Sequence, residues 1–354
     1  MTLAELGWNG FFAEHFHPYA ASGLLPGRVG LEHQHIYRVY LEDGEPLAHV
    51  AGRLRHRAAG RHEFPAVGDW VAVARSTAER RAVIHAVLPR RSRFSRKVAG
   101  STTEEQVVAA NVDTVLLVAG LDDNFNLRRI ERYLVMAREG GASPVVVLNK
   151  ADLCGEAETR VHEVESIASD VAVHLVSCVT GRGLDRLLAY AVPTRTVALL
   201  GSSGVGKSTI INRLLGREKQ PTRAVRPTDS RGRHTTTHRE LIVLPTGGLL
   251  IDTPGMRELQ MWDAVGSLGE TFDDIAELAP GCHFRDCRHD TEPRCAVRAA
   301  VEAGRLAPGR LESYLRLQRE VDALTKRQDE LAQLEEKRKV RTVHRSMRNF
   351  KPRV

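Results

Sequence analysis

Residues Asn149-Lys150-Ala151-Asp152 precede Gly201-Ser202-Ser203-Gly204-Val205-Gly206-Lys207-Ser208 in this chain. That order constrains the fold more than any other feature. The second motif follows an apolar run over 196–200 and opens a helical pattern over 207–215. Strand, glycine-rich loop and helix form the context in which backbone N–H groups wrap a phosphate. The first motif ends another apolar run, 144–148. A tetrapeptide of this kind normally reads a guanine base, and it normally follows the phosphate loop. Either one match is accidental, or the nucleotide-binding sheet is circularly permuted and the chain enters it halfway.

A chain of 354 residues fits two or three domains. No apolar run approaches the roughly 18 residues of a membrane span, and the first residues show no basic segment leading into an apolar one. A cytoplasmic protein with no membrane partner is therefore expected. The net charge of +7 makes polyanions plausible partners without naming one. Of the five cysteines, Cys154 and Cys178 are isolated, whereas Cys282, Cys287 and Cys295 cluster with His283 and His289. In a cytoplasmic chain such clustering favours metal over disulfides.

From about residue 28 to 96 the chain reads as four or five short strands, at 36–41, 47–54, 69–73 and 82–88, which is the pattern of a small barrel or sandwich. Basic residues interleave with them, among them Arg53, Arg55, Arg57 and Arg61. A small basic barrel is compatible with an OB-fold that grips RNA. Strands then alternate with helices: strands at 111–118, 144–148, 171–176 and 196–200, helices at 127–139, 156–169 and 207–215, and a hairpin at 240–252. The alternation implies a mostly parallel sheet with ligand loops at the carboxyl ends of its strands. After the Cys/His cluster come helices over 295–303 and 308–339. The longer one carries a heptad-like seam of Leu317, Val321, Leu324 and Leu331 and leads into a basic tail. The expected divisions are a β-domain over 1–100, the nucleotide-binding domain over 101–275, and a helical metal-binding domain over 276–354.

The glycine loop assigns chemistry residue by residue. Backbone groups from Gly201 to Thr209, including Ser202, Ser203, Gly204, Val205 and Gly206, can surround the phosphates. Lys207 reaches the β- and γ-phosphates and Ser208 ligates Mg²⁺. Asp252, ending the apolar run 248–251, can hold Mg²⁺ through water, and Gly255 can face the γ-phosphate. The polar segment 231–238 lies between, and one of its threonines, Thr235, Thr236 or Thr237, completes the Mg²⁺ shell, with Thr236 favoured. Asp152 can accept both N1–H and N2–H₂ of guanine, a donor pair that adenine lacks. Lys150 lies along the base, Asn149 ties the base loop to the phosphate loop, and Ser177-Cys178 at the next strand end offers a backbone N–H to guanine O6. Cys282, Cys287 and Cys295 with one imidazole, His283 or His289, make a closed tetrahedral set suited to structural Zn²⁺.

Five loops in permuted order, a basic β-domain before them and a Cys/His module after them resemble the ribosome small subunit-dependent GTPase A family. Residues 232–237, Gly-Arg-His-Thr-Thr-Thr, are a specific part of that resemblance, which covers nearly the whole chain. It implies an OB-fold, a permuted GTPase and a zinc domain acting on the 30S subunit in late maturation, with 16S rRNA as the partner of residues 1–100. Its spacing favours His289 as the fourth zinc ligand. One departure from Ras-like GTPases bears on mechanism: the water-orienting glutamine position holds Met256, and a thioether orients water poorly. His234 is the local substitute, and the resemblance implies the same role. Two other functions fit the residues alone, an RNA-binding structural factor with vestigial hydrolysis and a GTPase serving another RNA such as tRNA. A monomer that cycles between GTP and GDP, its nucleotide state controlling binding and release, is the expected form.

Overall fold

The computed structural model describes residues 1–75, 81–98, 104–216, 239–252, 259, 261 and 264–348. Packing divides the chain into two compact units, Met1–Gln260 and Met261–Val354.

The first unit opens with helix α1 (Gly10–Ala20), capped by the Asn9 side chain, which accepts the Phe11 N–H at 3.1 Å. Strands β1 (Leu25–His33), β2 (Ile36–Tyr40) and β3 (Leu47–Val50) follow, then the short helix α2 (Gly52–Arg57) and strands β4 (Trp70–Arg75) and β5 (Arg81–Val87). β1 pairs with both β2 and β4, and β5 closes the ring between β3 and β4. A five-stranded barrel results, filled by Val29, Tyr37, Val39, Val71, Val73 and Ile84. Closure leaves few edges to protect. The reading over 47–54 as one strand is shorter in the fold, because Gly52 begins α2.

A two-stranded ribbon, β6 (Arg93–Lys97) with β7 (Glu105–Ala110), leads to the nucleotide sheet. That sheet comprises β8 (Thr114–Gly120), helix α3 (Leu127–Glu139), β9 (Ser143–Asn149), α4 (Ala157–Glu165), β10 (Val173–Leu175), α5 (Leu184–Leu188), β11 (Thr196–Leu200), α6 (Lys207–Leu215), β12 (Arg239–Val243) and β13 (Leu249–Asp252). Its order is β10-β9-β8-β11-β13-β12, parallel except for β12. The strand feeding the glycine loop, β11, is thus central although it comes late in the chain. β11 is buried at every position, as a strand covered on both faces must be.

The barrel and the nucleotide sheet are continuous. β12 pairs antiparallel with β1, Leu31 opposite Glu240 and Glu32 opposite Arg239, and the Arg239 guanidinium meets the Glu32 carboxylate at 2.7 Å. Arg28 of β1 locks the same junction. Its side chain is 2% exposed and donates to Gly68 O (3.1 Å), Leu6 O (2.5 Å), Asn111 O (3.1 Å) and Thr196 Oγ1 (2.9 Å). Burial pushes its pKa down to about 10, so it remains a cation at neutral pH. Arg28→Met removes four donors while leaving their acceptors buried, and the expected cost is about 3 kcal/mol or more. A urea midpoint equal to that of the unaltered protein would show that the junction tolerates the loss.

The second unit holds α7 (Val265–Thr271), α8 (Asp273–Leu278), α9 (Ala296–Glu302) and α10 (Pro308–Arg348). Arg310 knits it together: Nη2 donates to Thr271 O at 2.7 Å, Nε to Asp274 Oδ2 at 3.0 Å, and the guanidinium lies 4.2 Å from the Phe272 ring centroid. In α10, Leu317 and Val321 are buried and Leu324 is half-buried, while the Leu331 side chain lies outside the described residues. The helix continues to Arg348 rather than ending at Lys339, because its Glu-, Lys- and Arg-rich sequence contains no breaker there. No described helix is long and apolar enough to cross a membrane.

Candidate functional site

Five parallel strands, β10, β9, β8, β11 and β13, end at one edge of the sheet. Their carboxyl ends carry, in that order, Ser177-Cys178, residues 149–152, residues 121–124, the glycine loop 201–208 and Asp252. Ligands of open α/β sheets bind at such an edge.

The glycine loop is anchored at its centre and exposed at its tip. Val205 is buried in the core shared with Ile210, Ile211 and Leu214 of α6, whereas Ser203 and Gly204 face solvent. Gly206 begins α6 with φ +98°, and a Cβ there would come within 2.2 Å of Asn149 Nδ2. Only glycine fits both the backbone and the neighbour. Asn149, 2% exposed, donates from Nδ2 to Val205 O at 2.8 Å, joining the base loop to the phosphate loop. Lys207 Nζ donates to Gly201 O at 2.6 Å and Ser202 O at 2.5 Å, so its ammonium lies over the loop. Ser208 and Thr209 open the helix at its positive end.

Lys150 has a left-handed backbone, φ +65°, and its ammonium pairs with the Asp122 carboxylate. Burial pushes the Asp122 pKa up, but the Lys150 hydrogen bond and charge outweigh it and hold the group below the usual carboxylate range. Asp152 is exposed, and its Oδ1 accepts a hydrogen bond from Ser177 Oγ. Ser177 itself is buried, and its Oγ also accepts the Thr180 N–H at 3.1 Å. Arg213 of α6 donates to Cys178 O at 3.0 Å, fastening this loop to the phosphate-loop helix. Burial raises the Cys178 thiol pKa, which suits packing rather than nucleophilic chemistry. Asp252 ends β13 opposite Glu240. Hydroxyl and carboxylate oxygens at Ser208 and Asp252 are the hard donors that Mg²⁺ takes. His234, Thr236, Gly255 and Met256 lie outside the described residues.

In the second unit, Cys282, Cys287, His289 and Cys295 bring one donor atom each to within 4.8 Å of one another. His289 Nδ1 lies 3.5 Å from Cys282 Sγ and 3.4 Å from Cys295 Sγ, and the two sulfurs are 3.8 Å apart. A tetrahedron with Zn–S near 2.3 Å and Zn–N near 2.0 Å has edges of about 3.5–3.8 Å, so Cys282, His289 and Cys295 form one face that fits that ion, with Cys287 close enough to complete the set. Burial and then the adjoining Cys295 and Cys282 thiols push the Cys287 thiol up to about 11, a crowding that a cation would relieve. Burial depresses the His289 pKa, favouring the neutral, ligating imidazole. Cys295 also caps α9, its Sγ accepting the Arg298 N–H at 3.5 Å. His283 falls outside the cluster and packs edge-on against Phe284.

Known proteins share this architecture. The RsgA GTPase family profile matches residues 87–262. A small ribosomal subunit biogenesis GTPase RsgA of Opitutus terrae is 50% identical over 357 residues, covering 98% of this chain and 97% of its own. The chain belongs to the RsgA GTPase family. Among solved structures, YjeQ from Thermotoga maritima superposes with a TM-score of 0.62 at 28% identity, over 84% of this chain and 98% of its own. YloQ, described as a circularly permuted GTPase, gives 0.60 at 25% identity, over 85% and 96%. The permuted order of loops is therefore the family's architecture, and the chain is a GTP hydrolase.

Three residues of this RsgA GTPase were missed by sequence reading: Asp122, Asn124 and Arg129. Arg129 Nη1 donates to Ser202 Oγ at 3.1 Å and to Asn124 Oδ1 at 2.8 Å, and Asn124 Nδ2 reaches Ser202 Oγ at 3.3 Å. The loop after β8 thus buttresses the phosphate loop. Its place at the carboxyl end of a parallel strand was the signal available.

Proposed function

We propose that this GTPase acts in biogenesis of the small ribosomal subunit by binding the subunit with GTP and leaving it after hydrolysis to GDP. The observation that carries the reading is the convergence of base loop, serine loop, phosphate loop and Asp252 on one sheet edge, in the family's permuted order.

In this reading residues 201–209 cradle the phosphates, with Lys207 moving from its carbonyl partners onto the β- and γ-phosphates. Asn149, Lys150, Asp152, Ser177 and Cys178 hold guanine, and Gly255 meets the γ-phosphate. Ser208, Asp252 and Thr236 hold Mg²⁺, which neutralises charge developing on the phosphate oxygens. His234 orients the attacking water in place of a glutamine, since Met256 cannot. Zn²⁺ on Cys282, Cys287, His289 and Cys295 is structural, because four protein donors leave no open position. The barrel meets 16S rRNA, supported by its basic surface, and the protein works as a monomer in the cytoplasm.

Adding purified small subunits to the full chain is expected to raise GTP turnover by orders of magnitude. Turnover that is unchanged at saturating subunits argues for an RNA-binding factor with vestigial hydrolysis. His234→Ala should lower the stimulated rate by about 10²-fold or more while nucleotide affinity stays within about twofold. Parallel losses in both would assign His234 to binding instead.

A further inference from the structure

Proteins that grip single strands on a barrel stack bases on aromatic side chains along a charged groove. The outward side of β2 and β3 lacks that platform. Its side chains are Ile36, Arg38, Leu47 and His49, with Ile36 51% and Leu47 50% exposed, while Tyr37 and Tyr40 of β2 are buried. Aromatic rings and unpaired cations meet instead around α2.

α2 buries none of its side chains. Arg53, Arg55 and Arg57 are exposed, and among the described residues their side chains make no ion pair or hydrogen bond. The helix lies between two cavities. Arg53 and Arg57, one turn apart and so on one face, line a groove of about 1150 Å³ together with Tyr19, His62, His85 and Arg93. Arg55, between them in sequence and so turned away, lines a second cavity of about 330 Å³ with Arg61, Tyr37, Phe64, Glu32 and Gln106. The wide groove brings together two guanidinium groups one helical turn apart, with Glu63 and Glu139 elsewhere on its wall. The smaller cavity offers the half-buried Phe64 ring with donors and acceptors at its margin, a composition that can take a planar base.

We propose that single-stranded RNA crosses α2, its phosphates on Arg53 and Arg57 and one unstacked base in the cavity beside Arg55, Arg61 and Phe64. This rests on the reading of the barrel as the RNA-facing part of the protein and assigns its contact to α2 rather than to the open strand face.

The test uses the full chain, a fluorescein-labelled 12-nucleotide RNA of mixed sequence, and purified small subunits. Losing two phosphate contacts from a single strand lowers the slope of log K against log salt by about 1.4, which is about tenfold in affinity near 0.15 M salt. Arg53→Ala with Arg57→Ala should show that loss in anisotropy titrations. Arg55→Ala with Arg61→Ala should weaken binding and flatten any preference among homopolymeric RNAs. A charge-matched control, Arg160→Ala with Arg186→Ala on α4 and α5, should bind as the unaltered protein does. Undiminished RNA binding by both arginine-pair variants overturns the proposal while leaving the RNA-facing reading intact, and so does an equal loss in the control. Loss of binding to small subunits but not to free RNA overturns it in favour of a ribosomal protein contact. If the unaltered protein binds neither RNA nor subunits, the underlying reading fails, and the proposal with it.

Discussion

Asp152→Asn is expected to weaken GTP binding by roughly three powers of ten and to confer binding of xanthosine triphosphate. A site built on hydrogen bonds to a base rejects analogues that leave its polar groups unpaired, by factors of this order. Guanine presents N1–H and N2–H₂ as donors to a carboxylate, whereas xanthine carries an oxygen at position 2. The structure orients the substituted amide. Ser177 Oγ donates to Asp152 Oδ1, and in the variant it can still donate to the amide oxygen, which turns the new NH₂ toward the base. That NH₂ opposes guanine's N2 donor and complements xanthine's O2. Competition of GTP and xanthosine triphosphate against a fluorescent guanine nucleotide measures both affinities. Unchanged GTP affinity would place base recognition elsewhere on the sheet edge.

Removal of metal from the Cys/His cluster is expected to unfold the second unit as far as its packed core extends. Structural zinc in small modules contributes about 10–16 kcal/mol at neutral pH, comparable to or larger than the stability of a whole small domain. The core that remains is small: Leu268, Phe272 and Ile275 around α7 and α8, and Val297, Ala300, Leu306, Leu311, Leu317 and Val321 in α9, α10 and the turn between them. Tyr314 connects that core to the cluster, its ring 5.5 Å from Phe272 and 6.1 Å from His289. Cys295→Ala should act like chelation, since it removes both a ligand and the α9 cap. Limited proteolysis after chelation should cut within 261–327, and nucleotide binding should persist because its residues lie in Met1–Gln260. One equivalent of zinc released per chain is the accompanying expectation. A protease-resistant second unit after complete metal loss would show that the cysteines pack as ordinary core residues.

Local pattern alone located much of the nucleotide sheet. The helix over 127–139, the strand over 196–200 and the helix over 207–215 end at the residues their apolar periodicity and glycines indicate. There, turn residues and hydrophobic spacing act within a single element, so neighbouring sequence carries the information. The chain's beginning was less legible. α1 holds its place through aromatic contacts, with Trp8 4.7 Å from Trp70 and Phe12 5.7 Å from Trp70. Such partners are 62 and 58 positions apart in sequence and leave no periodic mark. The ribbon β6–β7 was not among the strands expected from the sequence, because its pairing satisfies backbone groups that any residue carries.

By itself the sequence indicated the chemistry: motifs for a phosphate loop, a guanine-reading loop, an Mg²⁺-competent aspartate and a Cys₃His set, each written in a few neighbouring residues whose types such a reaction demands. It also determined their permuted order, and through that order the family. Only the tertiary structure decided what that order joins. β1 of the barrel extends the nucleotide sheet by pairing with β12, Arg239 meeting a glutamate 207 positions earlier, and Arg28 spans 168 positions to reach the strand that feeds the phosphate loop. The Asp122–Lys150 pair and the Arg129 buttress under Ser202 arise in the same way, from strands brought side by side. Residue type specifies what a group can bind, but which groups meet depends on burial and register across the whole sheet. Both are settled only when the chain closes on itself.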